Sequence, residues 1–561
     1  MKGSVKIMML VLISVLSCMR LSGQYHYSDF KVLSQKIARL GTSYQSLCSV
    51  KSLIKTMGGK DIWVISIGSG NKDSKPGVAI LGGIEGSYLL GTELAYGFAE
   101  NLLEASTTSE IKGLLENITF YVFPNVSPDE TEQYFSSPIY ERNINTRSTD
   151  DDRDFLYDED PYEDLNNDGF ITSIRITDPA GTMIESGDDD RVMIPADLSK
   201  GLVGHYKVYS EGIDNDKDGE LNEDGPGGVD FNKNFTYKYE EFGKNAGINA
   251  VSEPETRAIA DFLYDHFNIY ATISFGPQNN LGQQARSADR PASGQTAGER
   301  QGQGQGQEQA NARRTGNRRY TSIMNSDQTI YNLVSDMYQK ITGLKGASAF
   351  ESTPGNFVEW AYYHYGRYSF GTPGWWFPVE RGKSAEISFL KYAAENKLND
   401  VFVPWTEIKH PDFPDQKVEV GGIKPFLMYN PPDSMIGDLI RKDYDFIVAV
   451  AEMHPKLEYT DAKVENVGEN IFRISLKVHN SGIFATCTEI GDINQWTRIM
   501  RITVEPSGNQ DILSGIKVQR IPRLEGDNTE EFSWLISGKG LVKITAGALN
   551  VGTISRTFEL K

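Results

Sequence analysis

Two short acidic segments carry side-chain oxygens at the spacing that binds a hard cation. Residues 164–172 and 214–222 each place acidic or amide side chains at positions one, three and five of a loop, followed by the glycine that a sharp turn requires. These ligand candidates are Asp164, Asn166 and Asp168 in the first loop and Asp214, Asp216, Asp218 and Asn222 in the second. Both loops match the first nine positions of a calcium loop, which predicts calcium binding.

The twelfth position of both loops departs from the calcium pattern. Arg175 and Gly225 stand where a calcium loop has a bidentate glutamate. We therefore expect weak calcium affinity, or additional ligands from elsewhere in the chain. The alternative is a pair of solvated Asp/Asn/Gly turns that bind no ion.

Both loops lie in an acidic insert at residues 150–225. Residues 150–224 contain 23 Asp and Glu against six Lys and Arg, so most of the net charge of -20 is local. Without a cation, so much like charge would destabilise the folded state by self-repulsion. The acidic balance also argues against nucleic acid as a partner, because nucleic-acid binding depends on neutralising phosphates with basic residues.

Three further residues, Glu85, Asn125 and Gly276, each follow a predicted strand. Apolar runs end shortly before them at residues 78–81, 118–123 and 269–275, and a helical pattern fills residues 91–105. Strands that alternate with helices predict an α/β domain with a largely parallel sheet. Because the carboxyl ends of parallel strands share one edge, we expect these three residues to lie together in a site.

Two patterns further along the chain define other elements. Residues 252–255 (SEPE) predict a capping box, in which the Ser252 hydroxyl caps the helix that follows. A helical pattern over residues 433–454 ends before Pro455, and residues 472–478 then alternate between apolar and polar side chains. We expect an all-β sandwich over residues 456–561.

Segments in a fixed order resemble the zinc carboxypeptidase family related to carboxypeptidase A. They are 82–88 (GGIEGSY) with 91–93 (GTE), 124–129 (PNVSPD), 228–235 (GVDFNKNF), 252–256 (SEPET), and 357–362 (FVEWAY) with 368–370 (YSF). The resemblance runs over residues 24–455. It implies an α/β fold with a mixed eight-stranded sheet, a zinc cofactor, and peptides with a free C-terminus as partners.

The resemblance also identifies three positions at which the family binds zinc through two imidazoles and one carboxylate. Glu85 stands at the first His position, Tyr88 at the Glu position, and Gly276 at the last His position. Of the three residues, only Glu85 is a usual metal ligand, and one carboxylate does not make a stable zinc site. The alternative is a site recruited from histidines elsewhere in this domain, for which His205, His266 and His364 are the candidates.

The remaining functional positions of the family are partly kept. Pro373 occupies the place of the catalytic Glu, and proline has no group that can transfer a proton. Asn232 and Lys233 align with the Asn and Arg that bind the substrate carboxylate; lysine keeps the charge but loses the bidentate grip. Either Arg142 or Arg147 matches the Arg that stabilises the oxyanion.

Two classes of function follow from these positions. The first is a degenerate family member that lacks zinc-dependent hydrolysis and binds a peptide or C-terminal carboxylate, or acts as a scaffold. The alternative is an active metallocarboxypeptidase with atypical metal ligands.

The first 23 residues predict a signal peptide. Lys2 and Lys6 precede an apolar run over residues 7–16, followed by a polar stretch. We favour simple cleavage after Gly23, and the alternative is a lipoprotein in which Cys18 carries the lipid. No later stretch has the roughly 18 apolar residues that a membrane span requires. We therefore expect a periplasmic, cell-surface or secreted protein.

A low-complexity segment interrupts the domain. Residues 282–319 contain no large apolar side chain and are rich in Gly, Gln, Ala and Arg, which predicts a disordered loop.

Overall fold

A computed structural model describes residues 25–150, 155–222, 225, 227–284, 320–348 and 353–561. The predicted signal peptide with Cys18, and residues 285–319 of the predicted disordered loop, lie outside these ranges. Within them, no helix combines the length and the apolar character that crossing a bilayer requires.

The described residues form α-helices and β-strands with the following bounds. The α-helices are Phe30–Ser43, Leu89–Glu104, Ser109–Asn117, Pro128–Thr131, Pro254–Asp265, Asn325–Thr342, Phe357–Tyr363, Ala385–Glu395, Asp433–Glu452 and Glu489–Asn494. The strands are Cys48–Lys55, Asp61–Ile67, Gly77–Leu81, Thr119–Phe123, Ser173–Thr177, Met183–Glu185, Met193–Pro195, Tyr206–Ser210, Ile269–Phe275, Tyr368–Thr372, Phe402–Ile408, Val418–Ile423, Leu457–Gly468, Ile471–Asn480, Arg501–Pro506, Asp511–Ser514, Val518–Arg520, Asn528–Ser537, Gly540–Ala548 and Gly552–Leu560.

A mixed central sheet confirms the predicted α/β fold. Its strand order is Cys48–Lys55, Asp61–Ile67, Thr119–Phe123, Gly77–Leu81, Ile269–Phe275 and Tyr368–Thr372. The last four strands run parallel, and the first two pair antiparallel. Among the described residues this sheet has six strands, not the eight that the resemblance implies.

The parallel strands are buried on both faces, as their continuous apolar sequences predict. All residues of Gly77–Leu81 and Thr119–Phe123 are buried. The helices Leu89–Glu104 and Asp433–Glu452 pack together over the sheet, and a Cβ atom at Gly97 would lie 2.6 Å from Ile440 Cγ2. The absence of a side chain at Gly97 thus permits this close helix contact.

The acidic insert builds a second sheet that its composition did not predict. Four insert strands and two strands from residues 402–423 together form one antiparallel sheet. The order is Phe402–Ile408, Val418–Ile423, Ser173–Thr177, Tyr206–Ser210, Met183–Glu185 and Met193–Pro195. Ile174 and Ile176 pack against Val418 and Val420 in a small separate core. The insert is therefore anchored by its own apolar residues.

The predicted capping box at residues 252–255 is wrong, although the helix does begin at Pro254. Its N-cap is Glu253, with no side-chain cap hydrogen bond. The Ser252 hydroxyl donates instead to Glu253 Oε1 at 2.7 Å, and Glu253 Oε2 accepts from Asn145 and Arg147 at 2.8 Å each. Tertiary partners thus use the side chains that would otherwise form the box.

The C-terminal residues form two antiparallel four-stranded sheets, which confirms the predicted all-β unit. The orders are Leu457–Gly468, Ile471–Asn480, Asn528–Ser537, Asp511–Ser514, and Val518–Arg520, Arg501–Pro506, Gly540–Ala548, Gly552–Leu560. One apolar core fills the space between the two sheets.

Candidate functional site

Two glycines bring the loops after neighbouring parallel strands into contact. Gly82 follows Gly77–Leu81, and a Cβ atom there would lie 2.3 Å from the Gly91 carbonyl oxygen and 2.4 Å from that of Pro124. Gly83 has a positive φ of 63°, and its Cβ would lie 2.2 Å from Asn125 Oδ1. Only glycine fits at either position, so these residues allow Glu85 to reach the edge of the sheet.

Glu85 is held in place by Asn232, which arrives from a distant part of the chain. The Asn232 amide Nδ2 donates to Glu85 Oε1 at 2.7 Å and to Gln278 Oε1 at 3.1 Å. The Asn232 Oδ1 atom accepts from the Phe357 N–H at 3.0 Å. Asn232 is fully buried. Asn232, the residue predicted to bind the substrate, therefore connects the segments that carry Glu85, Gln278 and Phe357.

Three buried carboxyl groups, those of Glu85, Glu130 and Asp230, form an acidic cluster. Burial raises the pKa of each, and the charge of Asp230 raises the pKa of both glutamates further. The Asn232 hydrogen bond and the Lys233 charge lower the pKa of Glu85, but by less than burial raises it. Because like charges at close range disfavour simultaneous ionisation, the cluster holds protons more tightly than free carboxyl groups do.

Tyr88 lies in the same buried region as Glu85. Its ring centroid is 5.1 Å from that of Tyr429, and its hydroxyl is buried without a hydrogen-bond partner. Burial raises the pKa of Tyr88 well above the usual value, and the charge of Glu85 raises it further. The Tyr88 side chain is therefore a neutral phenol at neutral pH.

Gly276 and Pro373 follow two neighbouring parallel strands at the same edge. The Gly276 N–H donates to the Thr372 carbonyl at 3.0 Å, and a Cβ atom at Gly276 would lie 3.0 Å from Ile84 Cβ. Ile84 thus occupies the space that a larger side chain at Gly276 would need. Neither Gly276 nor Pro373 offers a donor or acceptor from its side chain.

The donor set does not fit a catalytic zinc. Such a site needs three converging nitrogen, sulfur or carboxylate ligands and an open position for water. Among the described residues, three carboxylates or other metal-binding side chains converge only at Asp214, Asp216 and Asp218, not at this edge of the sheet.

The predicted substrate-binding cations differ in how closely they contact hydrogen-bond acceptors of the protein itself. Arg142 donates to the carbonyls of Ile144 at 2.9 Å and Asn145 at 2.7 Å, and Arg147 donates to Glu253. The Lys233 ammonium lies 4.0 Å from Asp230 Oδ2, and its side chain is 29% exposed. The Lys233 ammonium also lies 3.5 Å from the Lys244 carbonyl, and the Arg147 side chain is 34% exposed. Of these three residues, Lys233 has the longest contacts with its partners within the described protein.

The three candidate histidines are distributed away from Glu85. His266 and His364 precede the strands Ile269–Phe275 and Tyr368–Thr372, and therefore lie near the opposite edge of the central sheet. His205 directly precedes a strand of the second sheet. The structure does not bring these imidazoles to Glu85.

The second calcium-like loop gathers its acidic side chains. Carboxylate oxygens of Asp214, Asp216 and Asp218 lie within 4.8 Å of one another. Lys217 and Gly219 have positive φ values of 73° and 100°, and Asn167 and Gly169 of the first loop have 59° and 88°. The two loops therefore turn in the same way.

Acidic residues next to each loop bind the backbone of the other loop. Glu211, just before the second loop, accepts from the N–H groups of Leu165 at 2.8 Å and Thr172 at 2.9 Å. Glu163, just before the first loop, accepts from the Ile213 N–H at 3.0 Å. The loops thus form a mutually supported pair.

Asp164 and Asn222 complete the predicted ligand set. Asp164 Oδ2 accepts from the Gly169 N–H at 2.8 Å, and Asn166 Oδ1 accepts from the Asp168 N–H at 2.9 Å. The Asn222 N–H donates to Asp160, and Asn222 Oδ1 is buried with no hydrogen-bond partner among the residues that the structure describes.

Sequence reasoning did not identify Glu130, Asp230 and Gln278 as members of the site. Glu130 follows the resembling segment 124–129 directly, and Asp230 lies within 228–235, so their neighbourhood was a usable signal. Their burial was not visible, because acidic residues in so charged a chain are normally solvated.

Comparisons with known proteins support the sequence resemblance. Residues 33–173 match the family described as zinc carboxypeptidase, and residues 456–559 match a domain of unknown function (DUF8731). No curated protein matches the chain.

Several solved carboxypeptidase structures are similar to this chain at low identity. Carboxypeptidase A from Helicoverpa armigera is 13% identical, with 80% of each chain covered and a TM-score of 0.41. Bovine thrombin-activatable fibrinolysis inhibitor, solved with a tick carboxypeptidase inhibitor, is 13% identical over 76% of this chain and 96% of its own, with a TM-score of 0.37. The family match over residues 33–173, which include Glu85 and Tyr88, identifies this segment as zinc carboxypeptidase-like.

Proposed function

We propose that this protein is a non-hydrolytic relative of the zinc carboxypeptidases that acts as a peptide-binding or scaffold protein. The observation that carries the proposal is the identity and geometry of the three substituted ligand positions. Glu85 is bonded to Asn232, the Tyr88 hydroxyl is buried and neutral, and Gly276 has no side chain.

Loss of hydrolysis follows from the chemistry of these groups. A metallopeptidase needs a metal to polarise the carbonyl and activate water, and a base to accept the proton. The only carboxylate at the ligand positions is that of Glu85, and Pro373 replaces the base. Lys233 supplies a partly exposed positive charge for a peptide carboxylate, although only as a point charge.

Zinc content and peptide turnover test the proposal in one preparation. We expect purified protein to hold far less than one zinc per chain and to release no C-terminal residues from a peptide panel. A Glu85→Gln variant should have the same low zinc content and the same lack of peptide turnover, because Glu85 has no catalytic role in this proposal. If the protein binds peptides with a free C-terminal carboxylate more tightly than the same peptides with an amidated C-terminus, its role is peptide binding. If it shows no such preference, its role is that of a scaffold.

The competing function is an active metallocarboxypeptidase with atypical ligands. One tightly held zinc per chain, together with release of C-terminal residues that a chelator abolishes, would establish it and overturn our proposal. Glu85→Gln would then remove both the zinc and the activity.

We also propose that the paired acidic loops bind calcium. The convergence of Asp214, Asp216 and Asp218 supports this, since Ca²⁺ prefers several carboxylate and carbonyl oxygens. Calcium would also offset the repulsion between the carboxylates of the insert.

Export completes the proposal. Lys2, Lys6 and the apolar run at residues 7–16 support a signal peptide. We propose cleavage after Gly23 and release to the periplasm, the cell surface or the medium. The mass of the mature N-terminus distinguishes this from a lipid-bearing Cys18.

A further inference from the structure

A small cavity lies beside the acidic cluster and shares Glu130 with it. It is enclosed by the start of the helix Pro254–Asp265 and the loops before it, and leaves about 10 Å³ for the centre of a water-sized sphere. That is the space of one water molecule or one small ion. Four acidic side chains line it, those of Asp129, Glu130, Glu253 and Glu255.

The positive charges around this cavity do not balance its carboxylates. Lys60 Nζ pairs with Asp129 Oδ1 at 3.2 Å, and Arg147 Nε pairs with Glu253 Oε2 at 2.8 Å. In the part of the chain that the structure describes, Glu255 forms no ion pair. The charge of Arg142 acts on Glu130 and lowers its pKa. Three cationic side chains therefore face four acidic groups, and Glu255 is the one left over.

Glu255 and Thr256 are buried polar residues whose side-chain oxygens lack well-formed hydrogen bonds to the described residues. The Glu255 carboxylate has only weak contacts with its own N–H and with Asn145. Glu255 is 4% exposed and Thr256 is fully buried. Neither carboxylate oxygen of Glu255, nor the Thr256 hydroxyl, has a hydrogen-bond partner of acceptable geometry. Asn145 lies near enough to lower the pKa of Glu255, but burial has the larger, opposite effect. Leaving such buried groups unpaired is unfavourable, so a bound species is expected.

We propose that a single monovalent cation of about sodium size occupies this cavity, bound by the Glu255 carboxylate and the Thr256 hydroxyl with Asp129 nearby. A cation would neutralise the excess negative charge and satisfy the unpaired oxygens of both residues. Water alone would satisfy the oxygens but not the charge.

The ligand chemistry favours a monovalent ion over a divalent one. The cavity offers only oxygen donors, which excludes the softer transition metals. Three carboxylate oxygens do not converge here, since among the described residues they do so only at Asp214, Asp216 and Asp218. A dehydrated divalent cation needs a fuller set of anionic oxygens than two residues supply.

Melting temperatures in matched salts test the site. The protein is dialysed against EGTA and melted at pH 8 in sodium chloride, or in N-methylglucamine chloride of equal ionic strength. We expect wild-type protein to melt about 1–2 °C higher in sodium, because an ion that binds only the folded state stabilises it. Glu255→Gln keeps the shape and removes the charge, and should abolish the difference while folding at least as stably as wild type without sodium.

Two further measurements keep the test decisive. Asp190→Asn, at an exposed position of the insert, should retain the full sodium effect. Crystals grown in thallium acetate should show an anomalous peak beside Glu255, since Tl⁺ replaces monovalent cations. Equal melting temperatures in both salts, a sodium effect that persists in Glu255→Gln, or a thallium-free cavity would each overturn the proposal.

Discussion

At the scale of single residues, Glu85 shows how folding changes the chemistry of a carboxyl group. The carboxylate does not project freely toward solvent but accepts a hydrogen bond from Asn232, next to the acidic residues Asp230 and Glu130. In this environment the neutral form of the carboxyl group is favoured, because burial and neighbouring negative charge both disfavour ionisation. A proton thus takes over the neutralisation that a cation would provide.

This environment predicts a specific pH dependence of stability. Because burial raises the pKa of Glu85 in the folded state, the folded protein binds a proton that the unfolded chain has lost above about pH 5. The free energy of unfolding should therefore fall as pH rises from about 5 to 8. Glu85→Gln should weaken this fall. It should be more stable than wild type at pH 8 by at most roughly 4 kcal/mol, since three pH units correspond to about 1.4 kcal/mol each.

Chemical denaturation at several pH values provides the measurement. Asp230 and Glu130 titrate in the same cluster, so Glu85→Gln should remove only part of the slope. Glu104→Gln, at an exposed helix end, serves as the control and should follow the wild-type curve. Parallel curves for wild type and Glu85→Gln would show that Glu85 is ionised in the folded protein.

At the scale of elements, the acidic insert combines a folded sheet with two ion-binding candidates. Ile174 and Ile176 anchor it against Val418 and Val420, while Glu163 and Glu211 connect the two loops. The loops are therefore held in place without relying on a metal, and calcium binding would add to an existing structure.

Calcium should raise the melting temperature of the protein by a few degrees at millimolar concentration, because binding to the folded state adds RT ln(1 + [L]/Kd) to stability. Asp216→Ala removes one of the three converging carboxylates and should reduce the shift. Calorimetry with calcium or with EGTA, in constant sodium, measures it. Asp190→Asn is the matched control, and a calcium effect absent in wild type would contradict the prediction.

At the scale of the whole molecule, one buried ion pair joins the α/β domain to the C-terminal sandwich. Asp327, in the helix Asn325–Thr342, lies 2.9 Å from Arg523 and accepts from the Glu489 N–H at 2.9 Å. Tyr362 also donates to Asp327 at 2.8 Å. The Asp327 side chain is fully buried. These contacts predict that the two parts unfold together.

Removing one partner of this pair should uncouple the two parts. We expect wild-type protein to unfold in one calorimetric transition. Asp327→Ala should lose about 2–3 kcal/mol, because Arg523, Tyr362 and the Glu489 N–H lose a shared buried acceptor while Arg523 keeps its pair with Glu525. Two separate transitions in the variant would show the uncoupling directly. Asp492→Ala breaks the exposed pair with Arg520 and should cost less than about 1 kcal/mol. Two transitions in wild type would refute the rigid connection.

Much of the fold was predictable because it depends on local patterns. The apolar runs before Glu85 and Gly276 became buried parallel strands, and the alternating run at residues 472–478 became a strand of the sandwich. The residue types at the substituted zinc positions are also properties of the sequence alone. They are the basis on which we propose that this protein lacks hydrolytic activity.

Only the tertiary structure decided which side chains meet. Glu85, Glu130 and Asp230 come from separate segments, and nothing in their local sequence indicates that folding buries them together. Ser252 has the sequence of a helix cap, yet Glu253 and its partners claim its hydroxyl. The physical reason is that periodicity reports burial averaged along an element, whereas hydrogen bonds and charge pairs depend on residues brought together from far apart in the chain.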